Sequence, residues 1–155
     1  MQEHKKTAAE KTIEFKDPNA IDPNSPVMPD SLFQTLWEDA FICTDPDAYV
    51  SDWALDYVWG DDPEDEIPEA RIEMLRRLWD VAHCSILDIR QHAGLTQKAF
   101  SERYLIPKRT IGNWETGVNE CPDYLRLLLA EASGMYHRPN KTEWEVPGKE
   151  KTESN

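Results

Sequence analysis

The chain has 155 residues, 39% of them hydrophobic, and a net charge of −13; that is material for one domain, or a small domain with an extension, with part of the chain left outside any core. No apolar run approaches the roughly 18 residues of a membrane span, and the N-terminus has no apolar segment of the kind a secretory signal needs. Taken whole, the acidity argues against nucleic acid and anionic membranes as partners, and three cysteines without C-x-x-C spacing (Cys43, Cys84, Cys121) argue against a disulfide framework and for a reducing cytoplasm.

Residues 1–30 are polar, and Pro18, Pro23, Pro26 and Pro29 forbid a helix interior in their second part. The segment is predicted to be a flexible arm; a short helix over Lys5–Phe15 would have no clear apolar face. Asp30 or Ser31 caps a predicted helix to about Phe41, with Phe33, Leu36, Trp37 and Ala40 on one face. A second helix is predicted from Asp47 to Trp59, with Tyr49, Val50, Trp53, Ala54 and Tyr57 on one face. GDDPEDEIP then reads as a solvated acidic loop, Asp61 and Asp62 included. Pro68 suits the first position of a third helix, which puts Ile72, Leu75, Leu78, Trp79 and Ala82 on one side.

Residues 31–84 thus form an acidic, aromatic-rich helical region, and two readings of its aromatics stand. In one they are core and the acids are solvated faces. In the other, Trp37, Tyr49, Trp53, Tyr57 and Trp59 present a surface to a protein partner, and the acids around them suit a basic one.

A new unit begins at Ser85, whose S-x-x-Asp88 spacing is a capping box. Ile86, Ile89 and Ala93 give its first helix an apolar face, and Gly94 suits the left-handed position after it. Thr96 caps the next helix, through Tyr104. Pro107 starts a third, which Gly117 closes. Pro122 opens a fourth, with Leu125, Leu128 and Leu129 as core candidates and Ser133-Gly134 at its end. Residues 135–155 are polar and predicted to be a disordered tail with Trp144 as its one anchor. The fold class expected is all-α: a small helical bundle at 85–134 with an acidic helical N-terminal extension.

Within the bundle, GLTQKAFSERYLIPKRTIGNWETG (Gly94–Gly117) reads as two short helices joined by a tight turn. Phe100, Ile106, Ile111 and Trp114 would pack them on the bundle, and Ser101 is small enough for close approach. That leaves Gln97, Pro107, Lys108, Arg109, Thr110 and Asn113 facing outward at one end. Arg109 has the fork for guanine O6 and N7, and Asn113 the paired donor and acceptor for adenine N6 and N7. Gln97, Lys98, Pro107 and Thr110 suit the DNA backbone, and Thr110 also a thymine methyl; Lys108 suits a phosphate by its charge. Charge supports this partition: residues 85–134 hold six basic and six acidic residues, whereas 1–84 hold 20 Asp/Glu against 7 Lys/Arg.

Residues 85–132 resemble the helix-turn-helix domain of the phage-repressor-like, or XRE-type, family. The shared features are a first helix ending GLTQ, the small Ser101, I-P-K-R-T at the second helix start, N-W-E-x-G at its end, and P-x-Y-L-x-x-L-L after it. The resemblance implies base contacts from Lys108, Arg109 and Asn113, a backbone contact from Gln97, and a homodimer on a palindromic DNA operator. Two departures stand out: Leu105 occupies a turn position usually held by glycine, and Val118-Asn119-Glu120 follows Gly117 where the family often has cations.

The function expected is a cytoplasmic, prokaryotic or phage-encoded transcriptional regulator, a repressor or autoregulator. The alternative is an antitoxin or phage counter-defence inhibitor that binds a protein through residues 31–84 and autoregulates through the helix-turn-helix. No cofactor is expected. His83, Cys84, His92 and Cys121 match no zinc spacing, and no nucleophile–base pair or phosphate loop points to an enzyme.

Overall fold

The structure is a computed structural model that describes residues 27–146. The arm expected over residues 1–30, with its Lys5–Phe15 helix, lies outside the described residues except for Val27–Asp30. Seven α-helices follow in order: α1 Asp30–Ile42, α2 Pro46–Ala54, α3 Glu69–His83, α4 Ile86–Ala93, α5 Gln97–Tyr104, α6 Lys108–Thr116 and α7 Asp123–Ala132. Two 3-10 turns lie at Tyr57–Trp59 and Lys141–Glu143. Among the described residues the β-structure is an isolated bridge between Val27 and Asn140.

The all-α expectation holds, but the N-terminal half is not an appended extension. Buried side chains from Met28 to Trp144 make one continuous cluster. α3 is its axis: α1 and α2 pack on one part of it and α7 on another. Only Cys84 and Ser85 separate α3 from α4.

α1 matches its predicted span, with Phe33, Leu36 and Ala40 buried. α2 is shorter than predicted. Asp56 accepts a hydrogen bond from the Val58 amide at 2.9 Å and caps a 3-10 turn instead of letting the helix run on. That change of direction buries Trp59, whose indole N–H donates to the Trp53 carbonyl at 2.6 Å. It also leaves Tyr57 92% exposed, off the buried face predicted for it. Pro68 is the residue before α3 rather than its first, and its carbonyl accepts from the Arg71 amide. On α3, Leu75, Leu78 and Ala82 are buried as predicted, joined by Arg71, Met74 and Val81, while Ile72 is exposed.

Arg71 is fully buried. Its guanidinium donates to both carboxylate oxygens of Asp61 (2.6 and 2.8 Å), to the Ala54 carbonyl (3.0 Å) and to the Trp144 carbonyl (2.8 Å), 5.0 Å from the Trp59 ring centroid. Asp61 is therefore not a solvated loop acid. The loop is held at its start by an ion pair with the next helix.

The tail predicted to be disordered is packed as far as Val146. Tyr136 and Trp144 are buried, the Met28 amide donates to the Pro139 carbonyl, and Arg138 lies over the Phe33 ring at 3.9 Å. On α7 the buried stripe is Arg126, Leu127, Leu129 and Ala130. Arg126 turns inward to donate to the Cys84 carbonyl, which rotates the helix so that Leu128 is exposed and Leu125 only half-buried.

Replacing Arg71 by Met removes the partner of Asp61 and leaves two buried carbonyls without their donor. Stability measured by urea unfolding is expected to fall by about 3–5 kcal/mol, the range for breaking a buried ion pair from one side. A loss under about 1 kcal/mol would show that Arg71 does not organise this half.

Candidate nucleic-acid interface

The unit from α4 to α6 is built by local rules that the sequence states openly. Ser85 and Asp88 form both halves of the capping box on α4. Gly94 sits left-handed (φ 69°), as the helix end requires. The Thr96 hydroxyl accepts from the Ala99 amide at 3.1 Å and starts α5.

The turn between α5 and α6 is made by Leu105, at φ 55° and ψ 39°, the one positive-φ residue other than glycine among the described residues. Ser101 closes this turn from both sides. Its carbonyl accepts from the Ile106 amide at 3.2 Å, and its hydroxyl donates to the Ile106 carbonyl. Ser101 is thus a hydrogen-bonding clasp as well as a small residue. Pro107 precedes α6, and its carbonyl accepts from the Thr110 and Ile111 amides. Phe100 and Ile111 are fully buried, and Ile106 and Trp114 pack half-buried against the same core.

A polar frame then fixes α4, α5 and α6 to one another. Arg90 on α4 grips the Glu115 carboxylate of α6 with two bonds, 2.6 and 2.8 Å, and donates a third to the Leu95 carbonyl. Gln97, first residue of α5, donates from its amide to Glu115 at 3.1 Å. The hydrogen bond from Arg90 holds the Glu115 carboxyl below the usual carboxylate range against the opposing effect of burial, and Gln97 adds to it. The same bond raises Arg90. Glu115 and this role of Gln97 were not read from the sequence; an acid seven residues past Lys108 gives no hint that a cation on α4 reaches it.

With Ile111 and Trp114 turned in, the outward face of α6 is set by helical spacing. Arg109, Gly112, Asn113 and Thr116 follow at steps of three, four and seven residues. Lys98, Pro107, Lys108 and Arg109 are exposed, and Thr110 and Asn113 half-exposed. Among the described residues, Lys108 and Arg109 have no ion-pair partner, and a Cβ added at Gly112 meets nothing within 4 Å. A smooth, cationic helix face therefore stands free, with an amide at its middle. Lys98 stands on α5, and Pro107, Lys108, Arg109, Thr110 and Asn113 stand at the start and middle of α6. Gln97 differs, because one of its amide hydrogens is spent on Glu115.

The five aromatics named as a partner surface are not brought together as one. Tyr49 and Trp59 are buried, with the Tyr49 hydroxyl donating to the Leu36 carbonyl at 2.8 Å. Burial pushes the Tyr49 phenol well above its usual range. Trp37 is half-buried and stacks on Phe33, and Trp53 is half-buried and donates to Asp39. Only Tyr57 of the five is exposed. Tyr49 and Trp59 are core, and Trp37 and Trp53 pack partly against it, because α1, α2 and α3 cover one another. Of the residues weighed as a metal site, His83 stacks on Trp79 with ring centroids 4.0 Å apart, and its Nε2 lies 2.7 Å from the Ala40 carbonyl oxygen. Burial pushes the Cys121 thiol up to about 11.

Two outcomes test this frame. Leu105 is 89% exposed, so Leu105→Gly loses almost no buried surface and relieves the left-handed backbone; a gain of about 0.5–1 kcal/mol is expected in urea unfolding, after the extra chain entropy of glycine. Glu115→Gln is expected to cost about 2–3 kcal/mol at neutral pH. Because the folded carboxyl is lowered from 4.5, its contribution is complete above that pH and is lost as pH falls through the lowered value. The gap between wild type and variant should therefore narrow as pH falls through the lowered value, and a gap independent of pH would show that the charge on Glu115 is not what matters.

Residues 86–134 match a family model described as helix-turn-helix, over about a third of the chain. No curated protein and no solved structure matches the chain. Among the described residues no helix is long and apolar enough to cross a membrane. The matched model is of the XRE type and describes DNA-binding regulators, and α4 to α7, with α6 as the second helix of the turn, are the part of the chain that it matches.

Proposed function

We propose that the protein is a sequence-specific transcriptional regulator, a repressor or autoregulator that inserts α6 into the DNA major groove. The observation that carries this reading is the free face of α6. Two cations and an amide stand on it without intramolecular partners, on a helix locked from behind by Arg90, Glu115 and Gln97. A side chain that reads a base must arrive already oriented, and this frame supplies the orientation. Arg109 and Asn113 read guanine and adenine edges; Lys108 reaches a base or the phosphate beside it. Gln97 keeps a second amide hydrogen for a phosphate, beside Lys98, Pro107 and Thr110.

The chain binds as a homodimer on a palindromic operator with half-sites about one helical turn apart. Tyr124 and Leu128, exposed four residues apart on α7, are apolar side chains available to the contact between copies. Affinity for DNA of arbitrary sequence is low. The domain is electroneutral, and the exposed Val118-Asn119-Glu120 run after α6 offers no cation to a phosphate.

Selection of bound duplexes from a random pool is expected to enrich a two-fold symmetric site. On that site Arg109→Ala should lose about 1–3 kcal/mol of discrimination at one base pair per half-site. A pool that converges on no sequence would overturn the reading. Equal loss on all sequences would move Arg109 to the phosphate backbone.

A further inference from the structure

Away from α6, a groove of about 340 Å³ runs between α2 and α3. Val50, Ala54, Leu55, Ile67 and Ile72 line it, and Leu55 and Ile72 are 70% and 40% exposed. Aliphatic side chains left in water on two helices that otherwise pack well are the mark of an unfilled contact. The groove is bordered by carboxylates. Between Asp45 and Glu73 the sequence has eleven Asp and Glu against a single cation, Arg71, which is buried on Asp61. Exposed Asp52 on α2 lies one turn before Leu55, the residue that ends that helix, and exposed Glu69 lies one turn before Ile72 on α3. The one cation on the rim, Arg76, is paired with Asp47 at 2.7 Å.

We propose that this groove docks a cationic amphipathic helix from another protein. Apolar side chains spaced three, four and seven residues apart enter between Leu55 and Ile72, and the Lys and Arg around them face the carboxylate border. The charge pattern selects this occupant over the alternatives. A second copy would bring the same acidic border against this one. The chain's own residues 1–26 and 147–155 carry no excess of cations: four Lys against five carboxylates in the first and two against two in the second. DNA is repelled. The site is distinct from the aromatic surface expected from sequence, since Tyr49 and Trp59 are core, and it stands or falls independently of the DNA reading.

The test uses the full chain and a synthetic peptide of about five helical turns, with Leu at heptad-spaced positions and Lys or Arg on the other face. Binding is followed by titration calorimetry at physiological salt, beside a scrambled peptide of the same composition that has no apolar face. The expected result is that the amphipathic peptide binds at least tenfold tighter than the scrambled one. The variant Leu55→Glu/Ile72→Glu should weaken it at least tenfold although it adds two negative charges. Both sites are exposed, and circular dichroism checks the fold; the scrambled-peptide arm needs no variant. Equal or tighter binding by the variant, equal binding of the two peptides, or no binding at all would overturn the proposal. So would self-association of the wild-type chain that the double variant abolishes, since a second copy would then be the occupant.

Discussion

A buried arginine is the constraint on which the N-terminal half depends. Moving an unpaired guanidinium out of water costs several kcal/mol, so Arg71 is tolerated only if its donors are met where it stands. Four of its five N–H groups are met, by Asp61, Ala54 and Trp144. Those partners come from the end of α2, the acidic loop and the C-terminal segment, so one side chain pins three stretches of chain far apart in sequence. Arg90 and Arg126 repeat the device. Arg90 joins α4 to α6, and Arg126 joins α7 to the junction of α3 and α4. The hydrophobic effect gathers these helices but does not choose their register; a bidentate or multiply bonded cation does, since its geometry is directional.

The same device explains the surface. When Arg71 turns inward it removes a cation from an exterior already short of them, and between Asp45 and Glu73 the sequence holds no other Lys or Arg. In the helix-turn-helix the allocation is reversed. Glu115, the acid on α6, is taken up by Arg90, and the cations at the start of the helix are left free. Residues 45–73 therefore show carboxylates and the start of α6 a short cationic face, although residues 85–134 are neutral in sum. Local placement of charge, and not net charge, decides what each face can meet.

What could be read from the sequence was whatever is local. Ser85 with Asp88, Gly94, Thr96 and Gly117 each act within four residues of themselves, and each sits where its residue type predicts. Leu105 was legible as the turn residue only through the family resemblance, since its own type disfavours a left-handed backbone. The failures are contacts that span the chain. The C-terminal segment looked unstructured because its composition is polar; what holds it is Arg71, 73 residues earlier, together with Phe33 and Met28. For the aromatics of α1 and α2 the sequence leaves core and binding surface both open, because helical periodicity shows that they share a face but not what covers it. Leu128 reads as core by its type, and is exposed because the buried stripe of α7 runs through Arg126, Leu127, Leu129 and Ala130 instead. Glu115 was invisible because its partner is 25 residues away. The exposure of Lys108 and Arg109 was legible because Ile111 and Trp114, the apolar residues of α6, mark the opposite side of the helix.

The two faces are joined by α3, and its length sets how they can influence each other. Ile72 at the groove and Cys84 at the junction with α4 are twelve residues apart, which is about 18 Å along a helix. At physiological salt charges are screened over about 8 Å. A cationic partner in the groove therefore neutralises carboxylates too far away for their field to matter much at α6, and any electrostatic gain in DNA binding is confined to low salt. Transmission through the core is constrained as well. α3 has no glycine or proline within it, and the Arg126 bond to Cys84 fixes its end, so it offers no hinge. What remains is steric. Coupling between the groove and the proposed DNA face of α6 would then be set by the sizes of the two bound partners rather than by their charge.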